Sequence, residues 1–174
     1  TWCWRNGFEG ATDSDASIDD LVAQLMIARG CPRDEVETYR SPTLRHFMPD
    51  PSIFQDMDRA ASRLADAVEA HEAVTIYGDY DVDGATSAAL LIRLLRDLGL
   101  KAGYYIPDRL MEGYGPSGAA LVKLAEEGSS LIVTVDCGAQ AFEALEMAKA
   151  AGVDILVVDH HKCASALPLA YALV

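Results

Sequence analysis

The chain has 174 residues, 51% of them hydrophobic, with 27 Asp and Glu against 14 Lys and Arg and a formal net charge of −13. That size supports one well-buried α/β unit, and the acidic balance argues against a surface that attracts nucleic acid or anionic lipid by bulk electrostatics. No apolar run approaches the roughly 20 residues of a membrane span, and no basic segment precedes an apolar core at the N-terminus, so the expected location is the cytoplasm, without a membrane partner.

Taken in chain order, the apolar residues Ile18, Leu21, Val22, Leu25 and Met26 recur at helical spacing. They predict a helix over 18–29, capped by Asp13, Ser14 or Ser17 and ended near Gly30 and Pro32. A proline-punctuated connection runs from Ser41 to Pro51, with Leu44, Phe47 and Met48 available for packing. Met57, Ala60, Ala61, Leu64, Ala65 and Val68 mark a second helix. Residues 1–72 are therefore read as a small N-terminal helical segment, bounded near Ala73 where the period changes.

The pattern then becomes strand, turn, helix, repeated. Strands are predicted at 74–77, 102–106, 131–135 and 155–158, and helices at 86–98, 117–127 and 139–150, with Ser117 as a cap and Gly99 and Gly128 as stops. Residues 107–115 read as a loop. This alternation predicts an α/β fold over 73–174, a parallel sheet flanked by helices on both faces. Cys3, Cys31, Cys137 and Cys163 form no C-x-x-C pair and read as free thiols. The chain starts without Met and stops at 170–174 in what reads as the start of another strand, so a fragment is expected.

The stretch GDYDVDG places Asp79, Asp81 and Asp83 on alternate residues directly after the first strand. Like charges this close raise one another's pKa, so without a cation the arrangement costs stability. An EF-hand is excluded, because the twelfth position of its loop falls on Leu90 and a strand, not a helix, precedes it. An ordinary acidic turn is the competing explanation for any one such loop. Here, however, the strand at 131–135 is followed by Asp136 and the strand at 155–158 by Asp159-His160-His161. Ligands of open parallel sheets bind beyond the carboxyl ends of the strands, so these three acidic ends converge. An oxygen-rich set with imidazole and no sulfur suits Mn2+ or Mg2+, with two ions implied by the number of carboxylates. The chemistry expected is hydrolysis of a phosphate ester or anhydride. Gly84 permits a close backbone approach, and Thr86 and Ser87 are expected at a helix N-terminus suited to a phosphate, although Ser and Thr also cap ordinary helices.

In this order and spacing, GDYDVDGATSAALL, TVDCGAQAFEA and VVDHHKC resemble the successive motifs of the DHH phosphoesterase family. The first motif, with IPDRLMEGYG after it and SPTLRHFMPDPSIFQDMDRA before it, is similar to the RecJ branch. The resemblance implies a 5′-to-3′ exonuclease on single-stranded DNA, dependent on Mn2+ or Mg2+, with a place in DNA repair and recombination and partners among repair or replication proteins. It puts Asp79, Asp81 and Asp83 in the metal cluster, Asp136 as the bridging carboxylate with a catalytic part, and His160 as a ligand. His161 then sits near the scissile phosphate as ligand, phosphate binder or proton donor. Asp159 orients an imidazole, ligation being the alternative.

Arg109 and Tyr114, in the loop after the second strand, are candidates to meet a substrate phosphate and to stack on a base, with Arg109 paired to Asp108 or Glu112 as the competing reading. RecJ-like proteins carry further metal-binding and DNA-gripping sequence that has no counterpart here, so independent activity of these residues is in doubt. Two rival functions share the motifs. One is a DHH phosphoesterase for nano-oligonucleotides, cyclic dinucleotides or another small phosphate. The other is a non-catalytic RecJ-like replication scaffold, which retention of the acids and of His160 and His161 argues against.

Overall fold

The structure is a computed structural model and describes residues 18–174. The candidate caps Asp13, Ser14 and Ser17, and Cys3, lie outside the described residues, and Cys31, Cys137 and Cys163 are free thiols. The chain divides into two compact units, Thr1–Asp50 and Pro51–Val174. In the first, α1 spans Ile18–Ala28, α2 Val36–Arg40 and α3 Leu44–Phe47. Arg40 joins α2 to α1 by an ion pair with Asp19 and also pairs with Glu37 on its own helix. The connection expected from Ser41 contains α3, which starts where the Thr43 hydroxyl accepts from His46 N–H.

The second unit begins with α4, Met57–Glu69, and continues as β1 Val74–Gly78, α5 Val82–Asp97, β2 Ala102–Tyr105, α6 Arg109–Glu112, α7 Gly118–Glu126, β3 Leu131–Val135, α8 Phe142–Ala150, β4 Asp154–Val158 and β5 Ala172–Leu173. All four pairings are parallel, and the strand order is β2-β1-β3-β4-β5. Successive residues of the central strands enter opposite apolar layers. Val74, Ile76, Val133 and Leu156 pack with Ala67 of α4 and Leu95 of α5. Tyr77, Ile132, Ile155 and Val157 pack with Leu121 of α7 and Leu145 of α8. Burial on both faces is why VTIY, LIVTV and ILVV are continuous apolar runs instead of alternating ones. Among the described residues no helix is long and apolar enough to cross a membrane.

Two polar ties fix α4 to the sheet. Asp56, at a left-handed φ of 53°, accepts from Leu173 N–H at 3.2 Å and so occupies the free edge of β5. Arg63, its side chain only 11% exposed, forks onto Glu72 and reaches Asp154 Oδ2 at 2.8 Å. Arg63→Ala leaves both carboxylates without their cation. The expected loss is about 2 kcal/mol in urea unfolding, below the range for a fully buried pair because water reaches Asp154. A loss under about 0.5 kcal/mol, the scale of an ordinary surface substitution, contradicts this.

Candidate metal centre

The strand order decides what meets at the carboxyl edge of the sheet. The order reverses at β1, whose successor in sequence lies on one side while β3 lies on the other, and the crevice outside such a switch point is where open α/β sheets bind ligands. Asp79 follows β1, Asp136 follows β3 and Asp159 follows β4, and these three strands are adjacent.

Asp79 and Asp136 are 3% and 6% exposed, yet Asp79 Oδ1 and both carboxylate oxygens of Asp136 have no hydrogen-bond partner. Each such atom forfeits its hydration without recompense, at about 1–3 kcal/mol or more for a charged group. Asp81 joins them, and one oxygen from each of the three lies within 4.8 Å of the others. Burial, then the charge of Asp81, pushes Asp79 above the ordinary carboxylate range, and burial with Asp81 alongside does the same to Asp136. Asp81 moves the other way. The Gly84 amide holds it low, assisted by the Asp83 amide. Buried acids that lack donors and repel one another fit a divalent cation, which supplies both the missing charge and the missing partners.

Asp136 belongs to a second group with His160 and His161. His160 Nε2 lies 3.0 Å from Asp136 Oδ1, out of line for a hydrogen bond. His161 is held differently. Its Nδ1 is 2.7 Å from Asp159 Oδ1, and its backbone N–H donates to the same oxygen at 3.1 Å. Asp159 Oδ2 accepts from Ala139 N–H at 2.9 Å. Burial pushes Asp159 up, but these donors together outweigh it and leave the carboxyl below its usual range. An ionised Asp159 only accepts, so the ring proton sits on Nδ1, and Nε2 lies 3.5 Å from the Tyr114 hydroxyl. The same bond to Asp159 raises the His161 pKa.

Not every expected site residue joins these groups. Asp83 lies exposed in the first turn of α5, where its charge complements the helix dipole. The helix expected from Thr86 instead starts at Val82, because the Asp81 carboxylate caps it by accepting from Asp83 N–H and Gly84 N–H. Thr86 and Ser87 are thus not at the helix N-terminus, and the Thr86 hydroxyl donates to Val82 O at 2.7 Å. Similarly, α8 starts at Phe142 and not at Ala139, whose N–H is committed to Asp159. The expected loop after β2 contains α6, capped by Asp108. Arg109 pairs with neither Asp108 nor Glu112 but lies over the Tyr80 ring, 4.5 Å from its centroid, while Glu112 accepts from Tyr105 OH. Tyr114 OH donates to Asp136 O at 3.2 Å and stands 3.2 Å from His161 Nδ1. Burial raises that phenol to about 12.

Gly84 does permit a close approach, but to the chain itself: a Cβ there would lie 2.5 Å from Asp79 O. The sequence reading missed this, and it missed the Ala139 amide that holds Asp159. The glycine in DVDG and the one in DCG, Gly138 with φ 114°, were the available signals.

Residues 73–174 match the sequence model described as DHH family, N-terminal domain. The chain belongs to the DHH family. Among DHH relatives, it is 39% identical to the single-stranded-DNA-specific exonuclease RecJ of Bacillus subtilis over 157 residues, 90% of this chain and 20% of that protein. It is 32% identical to the RecJ of Escherichia coli over 171 residues, 98% of this chain and 29% of that protein. A crystal structure of exonuclease RecJ bound to manganese matches with a TM-score of 0.62 and 36% identity, covering 67% of this chain and 30% of that one. The RecJ of Thermus thermophilus, solved in complex with Mn2+, shares the fold at a TM-score of 0.63 and 24% identity, covering 88% of this chain and 23% of that one. The chain thus spans about a fifth of the first of these relatives and less than a third of the others.

Proposed function

We propose that these residues form the metal-binding part of an exonuclease that hydrolyses single-stranded DNA from 5′ to 3′ with Mn2+ or Mg2+, in DNA repair and recombination in the cytoplasm. The observation that carries the reading is the set of buried, donorless oxygens on Asp79 and Asp136 at the switch point of the sheet. The similarity to RecJ, described as a single-stranded-DNA-specific exonuclease, supports the substrate, and the polarity is what the resemblance of the motifs to the RecJ branch implies.

In this reading Asp79, Asp81, Asp136 and His160 would hold the ions, Asp136 being common to both groups. Imidazole among the ligands favours Mn2+ over Mg2+. Bound ions of this class supply an acidified water and neutralise charge on the leaving oxygen. The protein's own groups do the rest. His161 carries one proton on Nδ1 against Asp159, and because Asp159 favours its protonated form it is suited to protonating the leaving oxygen. Arg109 lies over the Tyr80 ring with its guanidinium carbon 4.5 Å from the centroid, and its N–H groups are the candidate contact for a substrate phosphate.

The test is product analysis in the full-length polypeptide, with Mn2+, on 5′-phosphorylated single-stranded DNA, the matching duplex and a dinucleotide. Mononucleotides released from the 5′ end of the single strand are expected, with the duplex resistant. Cleavage of the dinucleotide alone points instead to a small-substrate phosphoesterase, and no cleavage of any of them to a scaffold.

A further inference from the structure

We propose that Tyr114 is a positioning residue whose hydroxyl ties the Asp136 turn to the His161 ring, so that the shared carboxylate and the imidazole keep one mutual geometry. The proposal rests on the reading of the site given above and differs from a base-stacking role for this ring.

Asp136 adopts a left-handed φ of 60°, uncommon for any residue but glycine, and a turn of this kind needs its peptide groups held. Its N–H donates to Val158 O at 2.9 Å, and its carbonyl accepts from Tyr114 OH at 3.2 Å. The phenol has one proton, spent on that carbonyl. Its oxygen therefore offers only lone pairs to the His161 ring, 3.2 Å from Nδ1 and 3.5 Å from Nε2, while the Asp159 oxygen takes the imidazole proton at 2.7 Å. Asp159 on Nδ1 and the phenol oxygen against both ring nitrogens hold the rotation of the ring better than one contact does. The aromatic rings also meet edge to face, with centroids 5.9 Å apart and planes at 76°.

Tyr114 is itself placed from behind. Gly113 and Gly115 flank it with φ of 84° and 76°. Gly115 O accepts from the hydroxyl of Tyr77, a fully buried residue of β1. Tyr77 packs on Tyr105 of β2 with centroids 5.2 Å apart, and Tyr105 OH donates to Glu112 at 2.6 Å. The phenol is thereby referenced to the sheet that carries Asp136 and His161. A ring used only for stacking needs no hydroxyl partners.

Tyr114→Phe keeps the ring and removes the tie, and Tyr114→Ala removes both. In the full-length enzyme Tyr114→Phe is expected to lower kcat by about tenfold or more at unchanged KM, since small misplacements of reacting groups cost this much. In 15N-labelled 174-residue protein the same variant should show microsecond-to-millisecond exchange at the backbone amides of Cys137 and His161, with Tm close to wild type. Full activity in Tyr114→Phe, with a raised KM only in Tyr114→Ala, overturns the proposal in favour of stacking. Quiet amides in Tyr114→Phe also overturn it. A wild-type protein without nuclease activity defeats the functional reading separately, and the amide measurement then decides the tie by itself.

Discussion

In Asp136→Asn protein the Mn2+-dependent rise in Tm disappears, whereas the metal-free variant melts at or above the wild-type temperature. Asparagine is the informative substitution because Asp136 sits at φ 60°, a conformation Asn tolerates and Ala does not, so the backbone stays in place. What changes is the charge. Two buried oxygens without partners become one carbonyl and one amide, and the amide can donate to the neighbouring Asp81. The sign with pH follows from the raised pKa values of Asp79 and Asp136. A folded-state pKa above the unfolded value stabilises fully below the unfolded pKa, and that contribution is lost as pH rises through the folded pKa. The metal-free wild type therefore loses this increment of stability toward neutral pH, and the variant loses less of it. With metal the order reverses. At a hundredfold excess over the dissociation constant, a ligand that binds only the folded state adds about 2.7 kcal/mol, and the variant forgoes it. Differential scanning fluorimetry with and without Mn2+ at neutral pH reads both halves, and equal metal-induced shifts would remove Asp136 from the ligand set. In the full-length enzyme the same change is expected to lower turnover by at least ~10^3, about 4 kcal/mol of transition-state stabilisation.

Gly84→Ala is expected to destabilise the fold by about 3 kcal/mol, the upper end of the usual range for overpacking. Its added methyl would lie 2.5 Å from Asp79 O, 2.6 Å from Asp79 N and 2.8 Å from Asp79 C. All three are backbone atoms, so no rotamer change relieves the contact. Either α5 lifts from the end of β1 or Asp79 moves. Ala is the better helix former by about 1 kcal/mol, which opposes the clash but is too small to cancel it. Gly118, the first residue of α7, is the internal comparison, because a methyl there meets only the flexible end of Met147 and is expected to cost less. Urea unfolding of the two variants tests the contrast, and equal losses would mean that α5 has freedom to shift.

The central strands were legible because a parallel strand buried on both faces has to be apolar throughout, and VTIY, LIVTV and ILVV are. Their order was not, since nothing in the local pattern states that β3 rather than β2 lies between β1 and β4. At the site, Asp79, Asp136, Asp159 and both histidines could be found as the polar residues that end apolar strands. The alternation of Asp79, Asp81 and Asp83 was misleading: it treats the chain as extended, but the chain turns into α5 at Val82 and leaves Asp83 on the first helical turn. Val82-Asp83-Gly84 contains no apolar period, which is why the start of that helix was placed four residues late. The hydroxyl of Tyr114 met Asp136 and His161 through an arrangement of loops that only the folded sheet creates.

Because β1 pairs with β3 and not only with its sequence neighbour, the segments around residues 79, 136 and 160, distant in sequence, meet only when the middle of the sheet has zipped. Contacts of such long sequence separation are slow to form, since the loops between them must first be closed. Asp79 and Asp81 are neighbours in sequence, but Asp136 and His160 join them only through the pairing of β1, β3 and β4, so the full set of acids and its mutual repulsion await the assembled sheet. If these residues hold the ion as proposed, its uptake is expected only once the sheet is complete and so reports that completion.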